Sequence, residues 1–424
     1  MEEDIKVVSD GTLSYRENRL FLEESSWEEI GERYGTPCYV YSQQAIVSRI
    51  KALQFAFKSF SPLLCYSIKA NSNLSILRLM KRWGLGLDVV SEGELRRAKK
   101  AGFSGSKIVF AGAGKTPAEI KLAVRHKIFC FNVENEEELD YIEKYAAGEK
   151  WAVNCALRLN LDVDVKTHHY VKTAKKNTKF GLDLETAASV VARREKWRWA
   201  KITGIHFHLG SQIKEPSGYS QALAKVKDFC ERSKFFPKIL DIGGGFGIVY
   251  NPAERISPLS AFSEVICSSL KQWPSVFLIL EPGRFLVGSG GFLLTRVLYV
   301  KKRGGKTFVI VDAAMNDLIR PSFYGSYHHI IPVRKKGSGQ MMVDVVGPVC
   351  ETGDYLAKER SIPGLLEPGD LVVVAGCGAY GFSMASNYNS RRRPCEVLVA
   401  GAKKYLIRKR ESFQDLWRLE ETGL

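Results

Sequence analysis

The sequence predicts an α/β chain: a closed (β/α)₈ TIM-type barrel followed by a mainly β domain. Three observations carry this expectation. Between residues 62 and 281 short apolar runs alternate with longer amphipathic stretches, giving eight candidate strands at 63–68, 85–90, 108–111, 128–133, 153–160, 202–208, 239–242 and 276–281. Eight strands in strict alternation with helices are the pattern of a barrel. Polar residues gather at the C-terminal ends of those runs, namely Lys69, Asp88, Asn132, Arg158, His206, His208, the glycines 243–245 and Glu281. That end of a barrel carries the active site. After about residue 288 the pattern changes to β runs broken by Gly and Pro, such as Thr307–Val311, Leu371–Val374 and Glu396–Val399.

Taken in order, the first 35 residues hold short strand-like pieces, Thr12–Tyr15 and Leu20–Leu22, that are placed with the later β sheet. The barrel is assigned to 36–288, and the β-rich domain to 1–35 together with 289–424. Segments between the candidate strands read as helices. Glu92–Lys100, for example, is acidic at its start, basic at its end and closed by Gly102, as the helix dipole and a glycine stop favour.

With 424 residues and 45% hydrophobic content the chain has enough apolar surface for two domains. The start, Met1-Glu2-Glu3-Asp4, is acidic where a signal peptide is basic, and no apolar run reaches the roughly 18 residues that span a bilayer. A cytoplasmic location is the expectation. Nine cysteines are scattered singly with no C-x-x-C pair, which argues against a disulfide framework or a zinc site. The paired histidines His168-His169 and His328-His329 point opposite ways on a strand, so no metal is expected. The formal charge of +16 is spread along the chain, with Arg391–Arg393 the densest run, and reads as a solvated basic surface with no nucleic-acid partner and no membrane partner.

Lys69 follows the apolar run Pro62–Cys65 within Tyr66-Ser67-Ile68-Lys69-Ala70-Asn71, where a barrel delivers a lone amine to its mouth. Partial desolvation there favours the neutral amine that reacts with an aldehyde. Gly243-Gly244-Gly245-Phe246-Gly247 follows the seventh strand, a common phosphate position, and glycine lets backbone N–H groups approach closely. Ser211 and the backbone around Gly283-Arg284 add donors. Glu281 ends the eighth strand; a carboxylate beside a pyridine nitrogen keeps it protonated and makes the ring an electron sink, which favours decarboxylation over racemisation. His208 shares a strand face with His206; one imidazole is expected to stack on the ring, whereas His206 reads as a hydrogen-bonded core histidine. Together these segments outline a pyridoxal 5'-phosphate site.

The chain resembles the fold-type III pyridoxal-phosphate decarboxylases, and within them the branch acting on meso-2,6-diaminopimelate. The likeness runs from Tyr34-Gly35-Thr36-Pro37 through Tyr66–Asn71, Leu87–Glu94, Lys179-Phe180-Gly181, His206–Ser211, Asp241–Gly247 and Glu281-Pro282-Gly283-Arg284. It continues through Arg320–Tyr324 and Gly347–Thr352 to Gly378–Met384. Ser67 stands where Ala is usual, Ala174 where Gly is more typical, and Arg392 lengthens a basic run. The resemblance implies that Lys69 forms the Schiff base, His208 stacks on the ring, and Glu281 pairs with the ring nitrogen. Asp88, Gly243, Gly244 and Pro282 complete the cofactor site, and Ser211, Gly245, Gly283, Arg284 and Tyr380 hold the phosphate. It further implies that Cys350 reprotonates the substrate carbon and reaches the site, with Glu351, from a second subunit of a homodimer.

A plain diamine precursor offers only an ammonium at its far end, while meso-diaminopimelate offers an ammonium and a carboxylate. Arg284 and Arg320 suit that carboxylate, Glu351 suits the ammonium, and Tyr324 and Tyr380 add hydrogen bonds. The expected reaction is decarboxylation to L-lysine and CO₂, the last step of lysine biosynthesis. A related decarboxylase acting on ornithine, lysine or a carrier-bound amino acid is the nearest alternative. An alanine-racemase-like isomerase is disfavoured by Glu281 and Cys350, and a non-catalytic cofactor-binding protein by the β domain that carries Cys350.

Overall fold

The structure is a computed structural model that describes residues 2–163, 178–273 and 275–420; His168, His169 and Ala174 lie outside them. Two compact units emerge, Ile50–Ile248 with Arg255–Phe285, and Met1–Arg49 with Val249–Glu254 and Leu286–Leu424.

In the first unit eight parallel strands close into a barrel: Leu63–Ser67, Gly86–Val89, Ile108–Phe110, Cys130–Val133, Val153–Arg158, Ala200–His206, Ile239–Asp241 and Phe277–Leu280. Each falls on one of the eight expected runs. Helices between them begin on side-chain caps that take up otherwise orphaned N–H groups. Asn73, Ser91, Thr116, Asn135 and Asp183 each accept a backbone N–H in the first turn that follows, and Thr116 forms a reciprocal box with Glu119. The helix Glu92–Lys100 is as expected, with Gly102 past its end at φ +86°.

Side chains two residues apart on a strand share a face, and this period builds the barrel in layers. Cys65, Val109, Cys130, Ala156, Ile239 and Ile279 form one apolar cluster. Two residues further along five of those strands stand Ser67, Asn132, Arg158, Asp241 and Glu281, and Asp88 and His206 follow Gly86 and Gly204 in the same way. All seven polar side chains are buried. An apolar plug is thus capped by a polar layer at the C-terminal end.

The second unit is built on a large mixed sheet. Its path runs from Tyr355–Pro363 through Gln340–Val346, Lys306–Val311, Gly291–Arg303, Cys38–Ser42 and Cys395–Ala400 to Lys403–Arg408, with Leu371–Val374 and Ile330–Pro332 attached. Cys38–Ser42 corrects the expected boundary at 36. It pairs with Gly291–Arg303 and Cys395–Ala400, and all five of its residues are buried, so it is a central strand of this sheet. The N-terminal pieces meet the sheet at one antiparallel bridge, Arg19 with Arg334, where Leu20 N donates to Val333 O and Lys335 N to Asn18 O, both at 2.8 Å. Leu13–Arg16, Arg19–Leu22 and Ser25–Ser26 form a three-stranded sheet of their own, while Ile5, Leu13, Leu20, Leu22 and Trp27 share one core with Val40, Phe292, Leu294, Val373 and Val397. The segment joins the β unit through that bridge and through packing.

Candidate active site

Lys69 lies in a single 3₁₀ turn, Ile68–Ala70, directly after the first barrel strand. Its Nζ stands 3.7 Å from Asp88 Oδ2, and its side chain keeps 40% exposure, so the expected desolvation is partial. The Ser67 hydroxyl donates to the same Asp88 oxygen. Burial and then the charge of Glu281 push the Asp88 carboxyl up to about 7, against the pull of Lys69 and Ser67. Pro282 and Gly283 pack on this turn: Ser67 N donates to Pro282 O at 3.2 Å, and a Cβ on Gly283 would stand 3.0 Å from Ser67 Cβ. The loop after the eighth strand therefore fixes the turn that aims Lys69.

Across the barrel, Asn132 Nδ2 donates to Glu281 Oε1 at 2.9 Å and to Asp241 Oδ2 at 3.0 Å. His206 Nε2 faces Glu281 Oε2 at 3.5 Å, long for a hydrogen bond. The expected core histidine is buried, but it borders the site. Burial lowers the basicity of its imidazole, with Glu281 opposing. Arg158 pairs with Glu134, whose other oxygen accepts Gly181 N at 2.6 Å, and its guanidinium lies 4.5 Å from the centre of the Phe180 ring.

The glycine loop is shaped by close packing. Gly243 has φ +65° and a Cβ there would meet His208 Nδ1 at 2.6 Å; a Cβ on Gly244 would meet Glu281 O at 2.1 Å; Gly245 has φ +107° and a Cβ would meet Gly210 O at 2.4 Å. Gly243 N donates to Asp241 Oδ1 at 2.9 Å and Gly244 N to His208 Nδ1 at 3.3 Å. Two of the loop's N–H groups are thus used inside the protein. An accepting Nδ1 places the proton of a neutral His208 on Nε2, and burial, then the charge of Lys69, hold this imidazole well below the ordinary range. Beside the loop, Arg284 directs Nε and Nη2 at Ser211 Oγ, 3.1 and 2.9 Å away.

The remaining expected residues lie in the β unit. Arg320 is buried at the start of the helical turn Arg320–Tyr324; its Nη2 is 3.2 Å from Ser326 Oγ, and its guanidinium sits 5.3 and 5.7 Å from the ring centres of Tyr250 and Tyr324. Cys350 and Glu351 are exposed on a loop. Cys350 N donates to Asn389 Oδ1 at 3.0 Å and Tyr388 OH to Glu351 Oε2 at 3.4 Å. Tyr380 has a left-handed backbone, φ +59°, a conformation that costs a non-glycine residue energy.

The family described as pyridoxal-dependent decarboxylase, pyridoxal binding domain, matches residues 43–288. The diaminopimelate decarboxylase of Aquifex aeolicus is 44% identical over 95% of this chain and 95% of its own length. The chain belongs to the diaminopimelate decarboxylase family. A solved diaminopimelate decarboxylase from M. jannaschii superimposes with a TM-score of 0.92 at 35% identity, covering 98% of both chains. One from Helicobacter pylori complexed with L-lysine gives 0.89 at 40% identity, covering 94% of this chain and all of that one.

The barrel of this family member fits pyridoxal phosphate on its own geometry. A reachable amine, a buried carboxylate opposite it, and a serine and arginine converging beside a glycine loop answer the aldehyde, ring nitrogen and phosphate. The sequence marked Asn132 and Arg158 only as polar strand ends and His206 as a core histidine, and gave Asp241, Ser67, Glu134, Asn389 and Tyr388 no role. The period-two step from the apolar layer to the polar one was the available signal for those on strands. His206, Asp241 and Glu281 also present ligand atoms within 4.8 Å of one another. The Asn132 N–H donors point at both carboxyls there, which suits shared protons better than a cation.

Proposed function

We infer that this protein decarboxylates meso-2,6-diaminopimelate to L-lysine and CO₂, the last step of lysine biosynthesis. The carrying observation is that the likeness to diaminopimelate decarboxylases extends through both units, over 95% of the chain, and so takes in the barrel's polar layer together with the segments of Arg320, Cys350 and Tyr380. Pyridoxal phosphate, when bound, supplies the electron sink for the electrons of the breaking carbon–carbon bond.

The residues divide that work. Lys69 anchors the cofactor covalently, and Asp88 balances positive charge beside it. His208 lies against the ring, and Glu281 accepts from the ring nitrogen. Ser211, Arg284 and Tyr380 hold the phosphate with Gly245, for whose N–H no protein partner is found among the described residues. Gly243 and Gly244 shape the loop. Because two Arg284 N–H groups already converge on Ser211, its phosphate role comes first and Arg320 takes the larger share of the substrate's distal carboxylate. Tyr324 adds a hydrogen bond, and Glu351 accepts from the distal ammonium. Cys350 holds the proton delivered to the carbon that has lost CO₂.

The exposed loop of Cys350 and Glu351 serves a homodimer, in which each copy supplies these two residues to the other's barrel. A reducing, cytoplasmic setting accords with nine cysteines that all stand as free thiols. The test is to incubate the full-length protein with pyridoxal phosphate and meso-diaminopimelate: L-lysine and CO₂ form in equal amounts. Absence of both refutes the reading.

A further inference from the structure

Glu281 is one half of a pair. Asn132 stands between two carboxyls and donates one N–H to each, at 2.9 Å to Glu281 and 3.0 Å to Asp241. Carboxyl oxygens of Asp241 and Glu281 lie within 4.8 Å of one another. Two carboxyls this close, and away from water, do not both ionise. Asp241, Glu281, Asn132 and His206 are all buried. One proton therefore belongs to the pair.

The two halves are unequal. Glu281 faces His206 Nε2 at 3.5 Å and feels the charge of Lys69. Asp241 is fully enclosed, its oxygens taking Asn132 Nδ2 and Gly243 N, whereas Glu281 keeps 6% exposure. We propose that Asp241 carries the proton of this pair and acts, with Asn132, as a positioning residue that keeps Glu281 ionised and aimed. The inference rests on the assignment of Glu281 to the cofactor's ring nitrogen.

The electrostatics run the same way. Burial, then the charge of Glu281, raise the Asp241 carboxyl well above its ordinary range. Burial also pushes Glu281 up, but His206, the adjacent Asp241 and the charge of Lys69 together bring it below the usual carboxylate range. Asp88 faces the pair as a further carboxyl, and the Arg158–Glu134 pair borders His206. One Asn132 N–H and a protonated Asp241 beside it thus face Glu281 as donors and leave it an acceptor. With the proton on Glu281 instead, the residue would present a donor to the ring nitrogen and lose its role.

Isotope-edited infrared spectroscopy tests the placement in the full-length, cofactor-loaded protein with ¹³C-labelled aspartate carboxyls. At pH 8 the parent should show a protonated-carboxyl band shifted by the label, and Asp241→Asn should lose it. No such aspartate band, or one that survives in Asp241→Asn, overturns the proposal. The pH profile gives a second reading. Removing a neutral donor raises the Glu281 pKa, so Asp241→Ala should move the acid limb of kcat/KM upward by about one unit, and Asp241→Asn, which still offers an N–H, should largely restore it. A downward shift in Asp241→Ala means that a charge was removed and also overturns the proposal. An aspartate band in a protein that does not decarboxylate meso-diaminopimelate leaves the proton placement standing and sinks the functional reading, so the two failures are distinguishable.

Discussion

The barrel's polar layer and the loops of the β unit meet the demands of catalysis in opposite ways. In the barrel every assigned carboxyl is buried and answered: Asp88 by Ser67 and Lys69, Glu281 by Asn132 and His206, and Glu134 by Arg158. In the β unit Cys350 and Glu351 stand exposed, held by Asn389, Tyr388 and a backbone turn to Val349 and Asp354. A buried layer fixes geometry before anything binds, whereas exposed loop residues acquire a defined surrounding only when something covers them. The difference teaches that, under the proposed function, the cofactor's contacts are fixed within the barrel before binding, while Cys350 and Glu351 act from a surface that only a covering partner defines.

The sharpest way to break this division is Lys69→Ala. Turnover should vanish along with the visible absorbance of the bound cofactor, while the circular dichroism of the fold is unchanged, because only the covalent anchor is removed. Retained absorbance would show that another amine holds the cofactor.

Cys350→Ala should bind cofactor and lose turnover by about 10²–10⁴-fold, the usual range for a missing general acid. Mixing it with Lys69→Ala should restore part of the activity if the loop serves a second copy. Heterodimers that form and stay inactive would count against sharing.

Lys115 tests the wiring under the layer. Its side chain is 1% exposed, its Nζ is 2.6 Å from Glu138 Oε1, and it donates to Asn132 O at 2.8 Å. Lys115→Met leaves Glu138 uncompensated and should cost about 3–5 kcal/mol in denaturant unfolding. A loss below about 1 kcal/mol, the scale of a surface pair, would show that the network carries little.

Arg320→Ala should raise KM for meso-diaminopimelate by about tenfold to 150-fold, as expected for a charge-assisted contact of about 1.5–3 kcal/mol, with cofactor absorbance intact. An unchanged KM would move the distal carboxylate elsewhere.

The smallest effect concerns pH and the β unit. Burial pushes the Asp317 carboxyl up to about 7, opposed by Ala314 N–H and the charges of Arg391 and Arg410, and aided by Asp312. The folded state then keeps a proton that the unfolded chain releases near pH 4, so this group lowers stability as pH rises from about 4 to 7. Asp317→Asn should flatten the fall in Tm across that window; an unaltered slope would contradict it.

The eight barrel strands were legible because burial and period-two alternation are local properties, and so were the polar ends at Lys69, Asp88, Asn132, Arg158, His206 and Glu281. What stayed hidden depends on closure. That Asn132 bridges Asp241 and Glu281 follows from three strands far apart in sequence meeting across the barrel, and no spacing encodes it. The glycines 243–245 were visible, but their clashes with His208, Glu281 and Gly210 belong to the folded backbone. Cys38–Ser42 fell inside the barrel bounds of 36–288 with no strand assigned to it, because a fully buried strand carries no mark of which sheet it joins. Cys350 and Glu351, exposed on a loop, gave no pattern at all, and only the family resemblance picked them out.

The most direct test of the whole account is a specificity measurement on the full-length, cofactor-loaded protein, with kcat/KM determined for meso-diaminopimelate, L-ornithine and L-lysine under one set of conditions. A site in which Arg320 and Glu351 read a distal amino-acid group should favour meso-diaminopimelate by about 100-fold or more, the scale of unpairing such polar contacts. Equal or higher kcat/KM for ornithine or lysine would contradict it.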